Sequence, residues 1–439
     1  MARAKSIPIR EALRKLFPAM FLMALARSSG AVVRVRQVSP TDLFWTLVLG
    51  FGLGRERTIA ALRRVYEKTS GQTIEESSFY DRFTGGLAKM LKAAVGHALN
   101  NSLGVGRALQ GALTPFSDVL LTDSTVVRLH DMLAPAFAAC RTNHTKAALK
   151  AHVVMSVTGE GKQSVKITGE RAHDGPVLHV GKWVRDRLFL FDLGYFRYQL
   201  FACIGRNGGY FLTRLKANAN PLIVRLNRVH RGRAVPVVGA RLRDCVDRLQ
   251  REVLDVDVNV RFERRSYAGR ARRDTAQLRV IGIRDPRTGD YHFYVTNIPP
   301  EKLAAEDVRA TYALRWQVEL LFKELKQSYR LDQMPSRKRH IVEALLYAAI
   351  LTLVVSRRLL DLVRQRLKGL EHRLPAQRWA NVFASVAGEL LRIVIRPLRE
   401  VEDLARKIGV LMIHEAVDPR KARAGLLEAV EGRTHRYRA

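Results

Sequence analysis

The hydrophobic pattern of the chain changes near Asp118, and this change constrains the fold more than any other feature. Before it, apolar residues recur at helical spacing in short segments joined by tight turns. After it come apolar runs of strand length, among them residues 119–121, 151–157 and 188–191. Strands followed by alternating helix and strand indicate a mixed sheet with helices on its faces.

We therefore predict an α/β fold in three regions. Residues 113–335 form the core, and residues 216–290 within it form an arginine-rich, β-containing insertion around the basic cluster 264–273. Residues 1–112 and 336–439 are helical regions before and after the core. Further strand predictions fall at residues 164–168, 210–215, 256–262, 277–283 and 291–295, and helix predictions fall at residues 194–204 and 301–329.

Basic residues outnumber acidic ones along the whole chain. Lys and Arg number 75 against 41 Asp and Glu, which gives a formal net charge of +34. Each phosphate that a protein neutralises releases counterions, so this charge favours a polyanionic partner. The basic residues recur in folded-looking segments, which argues against a disordered basic arm. Charge alone does not distinguish DNA from RNA or from an anionic membrane.

The N-terminal region has features of a DNA-binding unit. Residues 39–42 predict a helix start, residues 58–67 predict a second helix, and residues 69–71 predict a tight turn. A third helix begins near Ile74. Short helices joined by tight turns are typical of helix-turn-helix proteins. A helical scaffold that touches no bases fits the same pattern equally well.

Cysteine usage and the apolar segments indicate a cytoplasmic protein. Three cysteines lie far apart with no C-x-x-C pair, which argues against a zinc finger and a disulfide framework. The apolar run at residues 16–26 resembles a signal peptide, but Pro18 and Glu11 favour a buried helix. Residues 344–355 are too few to span a bilayer and predict a core helix. We expect no membrane partner.

Two aspartates follow apolar runs of strand length. Asp123 comes after residues 119–121, and Asp192 comes directly after residues 188–191. Carboxylates at the ends of neighbouring strands are held at a sheet edge, where they can share a Mg²⁺ ion. Two such ions about 4 Å apart can activate a nucleophile and stabilise a leaving oxygen. An aspartate after a strand also commonly caps a turn or a helix, so this pair alone leaves both interpretations open.

A third acidic residue lies on a predicted helix. Tyr312, Arg315, Glu319 and Lys326 fall at offsets of 0, 3, 7 and 14 residues. At about 100° per residue they share a stripe roughly 60° wide, apart from the apolar stripe of the same helix. One face can therefore pack on the sheet while another presents a carboxylate flanked by cations. An ordinary amphipathic helix with a solvated charged face has the same pattern.

These motifs resemble those of a known family. The segment Tyr312-Ala-Leu-Arg315-Trp316-Gln-Val-Glu319, followed by six residues and Lys326, resembles the Y-(2)-R-(3)-E-(6)-K signature of bacterial transposases of insertion sequence family four. The resemblance covers about residues 115–335. Similar family-typical segments are residues 121–125 and 191–196, which match the first and second acidic motifs, and residues 147–152 and 169–174.

The resemblance implies a fold and a chemistry. The core would be an RNase H-like mixed sheet of five strands with flanking helices, and the β-rich insertion would account for the long gap before the third acid. Asp123, Asp192 and Glu319 would bind two Mg²⁺ or Mn²⁺ ions. Water would cut a phosphodiester at the transposon end, and the released 3′-hydroxyl would attack target DNA, in some relatives through a hairpin.

The resemblance also implies partners. Tyr312, Arg315 and Lys326 would contact phosphates near the cut bond, and Trp316 would hold an unstacked base or simply pack. The partner would be double-stranded DNA, namely the terminal inverted repeats and the target, bound by a homodimer at the nucleoid. An RNase H-like nuclease without strand transfer and an inactive end-binding repressor remain alternatives. A ribosomal RNA-binding protein would explain the charge but not three ordered acidic motifs.

Four histidines lie near the acidic motifs. Phosphoryl transfer with two metal ions needs no histidine base. We therefore interpret these side chains as structural or as phosphate contacts. They are His130, His144, His152 and His173.

Overall fold

In the computed structural model a mixed β-sheet is preceded and followed along the chain by groups of helices. His144, most of the basic cluster 264–273 and all of residues 420–439 except residue 430 lie outside the described residues. The structure describes residues 7–34, 38–52, 58–101, 108–140, 145–159, 163–229, 234–247, 249–263, 273–329, 331–332, 334–367, 370, 373–419 and 430.

Within these ranges, six helices precede the sheet. Pro18 separates the first two, because proline lacks the backbone N–H that a continuous helix would need. Thr58 accepts a hydrogen bond from the Ala61 N–H at 3.1 Å, and Gly71 with φ of 74° ends that helix at the predicted turn. The six helices are α1 (Ile9–Leu16), α2 (Ala19–Ser28), α3 (Pro40–Gly52), α4 (Ile59–Ser70), α5 (Glu76–Tyr80) and α6 (Gly85–Asn101).

The described strands form one nine-stranded sheet in the order β3-β2-β1-β4-β5-β9-β8-β7-β6. The β3-β2-β1 pairs are antiparallel, and the β1-β4-β5 pairs are parallel. This order of the first five strands is that of an RNase H-like core. The strands are β1 (Asp118–Leu129), β2 (Ala147–Ser156), β3 (Ser164–Gly169), β4 (Arg187–Phe191), β5 (Tyr210–Arg214), β6 (Leu222–Leu226), β7 (Val253–Glu263), β8 (Arg273–Arg284) and β9 (Tyr291–Thr296).

The five core strands are present as expected, and the sheet continues beyond them through β9 into the insertion. β9 pairs antiparallel with β5, where Leu212 lies opposite Thr296, and β8, β7 and β6 follow outward. An unpaired β5 edge would leave backbone N–H and C=O groups without partners; β9 pairs with them, and the inserted strand β8 pairs with β9 in turn. The insertion is thus part of the same sheet as the core.

The helices after β3 flank the sheet and then form a second helical group. The predicted helix at residues 194–204 is instead a 3-10 turn, Leu193–Tyr195, followed by a helix that starts at Tyr198. The helices are α7 (Asp174–Val177), α8 (Tyr198–Arg206), α9 (Leu242–Val246), α10 (Ala305–Ala313), α11 (Trp316–Gln327), α12 (Arg339–Arg366), α13 (Ala376–Ile395) and α14 (Leu398–Ala416).

The predicted long helix at residues 301–329 is broken. α10 ends at Ala313 and α11 begins at Trp316. Through the break the backbone makes hydrogen bonds to the third residue back, as from Arg315 N–H to Tyr312 C=O at 3.1 Å. These are 3-10 bonds, which wind the chain more tightly than an α-helix. The break therefore changes the direction in which Arg315 and Glu319 point relative to Tyr312.

The helices before and after the sheet share one hydrophobic core. α12 packs against α6 and α3, and α13 packs against α3 and α4. Trp45, Phe44, Trp379 and Phe383 are fully buried between them. The two helical regions that the sequence separates by more than 200 residues thus pack together, and the predicted boundaries of the three regions remain a prediction.

Helix α12 contains the apolar stretch that the sequence assigns to a core. Among the described residues, Arg339–Arg366 is the one helix long and apolar enough to cross a membrane by length and composition. Of its most apolar window, 78% is buried inside the protein. Core helices pass such a test because packing against other helices requires the same apolar surface.

Candidate active site

Asp123 and Asp192 lie on neighbouring strands in the middle of the sheet. Asp192 directly follows β4, as predicted, but Asp123 lies within β1 and not at its end. β1 continues to Leu129 because β2 pairs with it along that whole length. The parallel register places Thr122 opposite Phe191. Asp123 and Asp192 are therefore the next residues on adjacent strands, about 5 Å apart in the backbone.

Arg315 joins two of the three predicted acids. Its Nη1 lies 3.3 Å from Asp123 Oδ2, and its Nη2 lies 2.6 Å from Glu319 Oε1. Arg315 precedes α11, Glu319 lies in the first turn of that helix, and α11 packs on β1. The break between α10 and α11 thus places the Arg315 guanidinium between the carboxylate of Asp123 on β1 and that of Glu319 on α11.

The charges of this cluster interact strongly. The pKa of Asp123 is raised to about 6, chiefly by burial and additionally by the carboxylates of Asp192 and Glu319, while the Ser124 N–H and the charge of Arg315 oppose this rise. Like charges that crowd a partly buried site favour protonation unless a cation balances them. Arg315 supplies part of that balance.

The donor set suits a hard divalent cation. Carboxylate oxygens are the ligands that Mg²⁺ prefers, and it keeps open positions for water. Across the described ranges, however, no three Asp, Glu, His or Cys side chains converge closely enough to hold an ion. The guanidinium of Arg315 lies between Asp123 and Glu319, so metal binding would require Arg315 to leave these ion pairs.

The remaining predicted residues differ in their exposure. Tyr312 is buried at 8% exposure, and its ring lies 5.7 Å from the Arg315 guanidinium and edge-on to Tyr294. Trp316 is 52% exposed beside Arg315. Lys326 lies seven residues beyond Glu319 on α11, or about 10 Å along the helix. The structure therefore places Tyr312 next to the acidic cluster and Lys326 further along its helix.

A buried polar network beside the cluster is missing from the sequence predictions. The Asp174 carboxylate accepts a hydrogen bond from Ser124 Oγ at 3.0 Å and lies 3.1 Å from His152 Nδ1 and 3.4 Å from Lys150 Nζ. His152 Nε2 lies 2.8 Å from Thr168 Oγ1. Although burial opposes ionisation, the hydrogen bond from His152 and the charge of Lys150 hold the pKa of Asp174 below its usual value.

Asp174 touches the chain beside both aspartates. Ser124 follows Asp123, and Gly194 lies two residues after Asp192. A Cβ added at Gly194 would lie 2.8 Å from Asp174 Oδ2, closer than real Cβ atoms approach. Asp174 therefore contacts both the segment that carries Asp123 and the segment that carries Asp192, and it helps to hold them in position. The alternation of Lys150 and His152 on one strand face was the available signal. The interpretation of His152 as structural or as a phosphate contact stays a prediction.

Helix α11 is fastened to the C-terminal helices at its other end. Glu324, 5% exposed, forms an ion pair with Arg357 of α12. Tyr329 Oη donates to Ser356 Oγ at 2.9 Å, and Trp379 Nε1 of α13 donates to the same oxygen at 3.0 Å. Burial raises the pKa of Glu324, and the Arg357 charge opposes that shift. These contacts hold the helix that carries Glu319 against the sheet.

The strand order and the acidic cluster together define an enzyme core of the RNase H-like class. Residues 114–355, more than half of the chain, match the family described as transposase DDE domain, and the chain belongs to that family. Enzymes of this family generally use divalent metal ions.

Curated relatives of similar length agree with this assignment. The transposase for insertion sequence element IS231F of Bacillus thuringiensis subsp. israelensis is 22% identical over 396 residues, covering 82% of this chain and 81% of the relative. That for IS231B of Bacillus thuringiensis subsp. berliner is 20% identical over 384 residues, covering 79% and 78%. A cryo-EM structure of the piggyBac transposase synaptic complex with hairpin DNA aligns with a TM-score of 0.45 at 8% identity, covering 91% of this chain and 85% of that one.

As a member of this family, the chain is an enzyme that cleaves and joins DNA strands.

Proposed function

We propose that this transposase binds the terminal inverted repeats of its own insertion sequence, cuts them, and joins the 3′-hydroxyl ends to target DNA. Asp123, Asp192 and Glu319 are the proposed catalytic and metal-binding residues. The proposal rests on one observation: Arg315 forms ion pairs with both Asp123 and Glu319, and Asp192 follows the strand next to that of Asp123. The Y-R-E-K motif supports placement in insertion sequence family four.

The three carboxylates would hold two Mg²⁺ or Mn²⁺ ions. Such a pair supplies the Lewis acidity that activates an attacking water and stabilises the leaving oxygen. Near neutral pH the Asp123 carboxyl is mostly ionised, because its pKa is raised only to about 6. The rigid strand positions of Asp123 and Asp192 orient their oxygens, and Glu319 completes the set from α11.

Arg315 changes partners in this proposal. Released from Asp123 and Glu319, its guanidinium can donate two parallel hydrogen bonds to a phosphate near the cut bond. Tyr312 supports it from below through its ring face, and direct phosphate contact by Tyr312 stays a prediction. Trp316 is exposed enough to stack on an unpaired base, and Lys326 would contact the backbone further along.

The proposed assembly is a homodimer on DNA in the bacterial cytoplasm, at the nucleoid. Two element ends must be joined in one event, so two active sites meet the two ends. The nuclease alternative predicts cleavage without strand transfer. The repressor alternative predicts binding alone, and the presence of all three carboxylates argues against it.

The test is incubation of the protein with end DNA of its own element and Mg²⁺ or Mn²⁺, beside Asp192→Ala and Glu319→Gln. We expect metal-dependent cuts at the element boundary, reduced about 10³-fold or more in both variants, because losing a metal ligand removes several kcal/mol of transition-state stabilisation. Both variants should still bind end DNA.

A matched control is Asp403→Ala on α14, which removes an exposed carboxylate paired with Arg406. This variant should cut normally. Normal cutting by Glu319→Gln would show that the third acid is wrongly assigned. Cleavage without joined product, when target DNA is supplied, would support the nuclease alternative instead.

A further inference from the structure

A basic cleft lies where α6, the start of α12 and the β3 edge of the sheet meet. Its cavity has a volume of about 190 Å³, and Lys89 and Lys92 of α6 line it together with Arg339 of α12. Phe137 and Ile167 of the core form part of the wall. The cleft therefore touches all three predicted regions of the chain.

The cations of this cleft are not balanced. Arg339 Nε lies 2.8 Å from Glu343 Oε1, and these two charges compensate one another. Neither Lys89 nor Lys92 forms an ion pair with any residue that the structure describes. The two lysines are three residues apart on one helix face, where like charges repel. An anionic ligand would relieve that repulsion.

The cleft is also preformed. The Arg339 guanidinium lies 5.5 Å from the centre of the Phe137 ring, and α6 packs along α12. Beside it, Lys338 Nζ lies 4.8 Å from the centre of the partly exposed Tyr80 ring on α5, which extends the basic surface. Cations held on aromatic faces by packed helices need little reordering before they bind.

We propose that this cleft binds backbone phosphates of double-stranded DNA, in a contact that carries no sequence information. A cleft of about 190 Å³ admits a phosphate group with water around it. Lysines supply compact charges suited to phosphate, whereas base reading needs directed donor and acceptor pairs. The inference rests on the proposed function because DNA is its ligand.

The consequence is a division of labour along the DNA. The acidic site handles the cut bond, and the cleft holds duplex at a place where the N-terminal helices, the core and the C-terminal helices meet. The end sequence is then read elsewhere on the surface.

The experiment measures affinity for a labelled random-sequence duplex over a series of salt concentrations, by fluorescence anisotropy. Lys89→Glu/Lys92→Glu should weaken binding at least about tenfold. It should also flatten the plot of log affinity against log salt, by about 0.9 for each phosphate that the protein no longer neutralises. Lys89→Gln/Lys92→Gln should show the same change in slope with a smaller loss of affinity, and it serves if the glutamate variant fails to fold.

The matched control is Arg392→Glu/Arg399→Glu, which makes the same charge change at exposed positions of α13 and α14. Its salt slope should equal that of the unchanged protein. The proposal that the cleft binds DNA would be overturned if the lysine and arginine double variants changed the salt slope equally. Normal binding by both lysine double variants would overturn it as well. Because random duplex is the probe, this outcome is separate from failure to cut end DNA, which would count against the proposed function alone.

Discussion

Arg279 in the insertion and Arg315 at the active site both lie among carboxylates, but they are bonded differently. Arg279 Nε and Nη2 lie 2.8 Å and 2.6 Å from the two oxygens of Asp255. Its Nη1 donates to the carbonyl oxygens of Ile298 at 3.2 Å and Leu303 at 2.8 Å. The Arg279 and Asp255 side chains are only 4% and 5% exposed.

Arg315 makes one contact with each of two acids that belong to different elements. Its Nε is buried without a hydrogen-bond partner among the described residues. The side chains of Arg315, Asp123 and Glu319 are 14%, 16% and 32% exposed. A buried pair with every donor satisfied holds the fold together, whereas a partly satisfied, partly open pair can exchange its partners for a metal ion and a phosphate.

The largest effect should come from breaking the satisfied pair. Arg279→Met leaves the Asp255 carboxylate buried and uncompensated, so the free energy of unfolding should fall by about 3–5 kcal/mol. Urea denaturation measures it. The control is the double variant Arg279→Met/Asp255→Leu. Its free energy of unfolding should be close to that of the unchanged protein, because neither buried charge remains. A loss below about 1 kcal/mol in the single variant would contradict the structural role of this pair.

The next largest effect is expected from substitutions that disturb the contacts of Asp174 beside the acidic cluster. Asp174→Asn keeps the size of the side chain but weakens its bonds to His152 and Lys150. We expect Mn²⁺ affinity, measured by calorimetry, to fall about tenfold, as is common when groups that orient metal ligands are altered. Gly194→Ala should have a similar effect because its Cβ would press on Asp174. Unchanged Mn²⁺ affinity in both variants would show that the network only supports folding.

A further effect of similar size follows from the Asp123 pKa. The carboxyl, with its pKa raised to about 6, is mostly protonated at pH 5 and mostly ionised at pH 7.5. Protons compete with metal for this ligand, so Mn²⁺ affinity should rise about tenfold between these pH values. Asp123→Asn should remove the part of this dependence centred near pH 6. A flat affinity in the unchanged protein would contradict the raised pKa.

The same shift affects the metal-free protein. The folded state holds the Asp123 proton more tightly than the unfolded state does. This contribution to stability is therefore full below about pH 4, the ordinary aspartate pKa, and is lost as the pH rises through about 6.

The smallest effect on stability should come from Arg315 itself. Arg315→Met removes a cation from a partly open cluster whose carboxylates can take up protons, so the free energy of unfolding should fall by less than it does in Arg279→Met. Cleavage of end DNA should nevertheless fall, because the methionine side chain cannot bind a phosphate. Urea denaturation and the cleavage assay, run on the same sample, separate the two roles. A loss of several kcal/mol would make Arg315 structural like Arg279.

The sequence predicted the sheet and the acidic motifs because both depend on local pattern. The apolar run directly before Asp192 has the length of a buried strand, and β4 ends at Phe191, the last residue of that run. The end of β1 could not be found in this way. Asp123 lies mid-strand because β2, which is distant in sequence, pairs with the polar residues that follow it.

Other features depended on tertiary contacts that no local pattern records. The break before α11 falls in a segment with good helical periodicity, so a continuous helix was the wrong prediction. Asp174 belongs to a very short helix, and its partners Ser124 and His152 come from other elements. The candidate site follows from the motifs and stays a prediction, whereas the contacts of Asp174 beside it could not be found from local pattern.

The continuous pairing of β5, β9, β8, β7 and β6 has a consequence for how such enzymes can vary in length. The outermost strand, β6, is short and carries a bulge between Ile223 and Arg225, which makes it a poor template for pairing with another molecule. A shortened enzyme without β6, β7 and β8 would instead expose β9, whose backbone groups would be free to pair with a second chain. The inserted strands thus cover a sheet edge that a shorter relative would have to cover in another way.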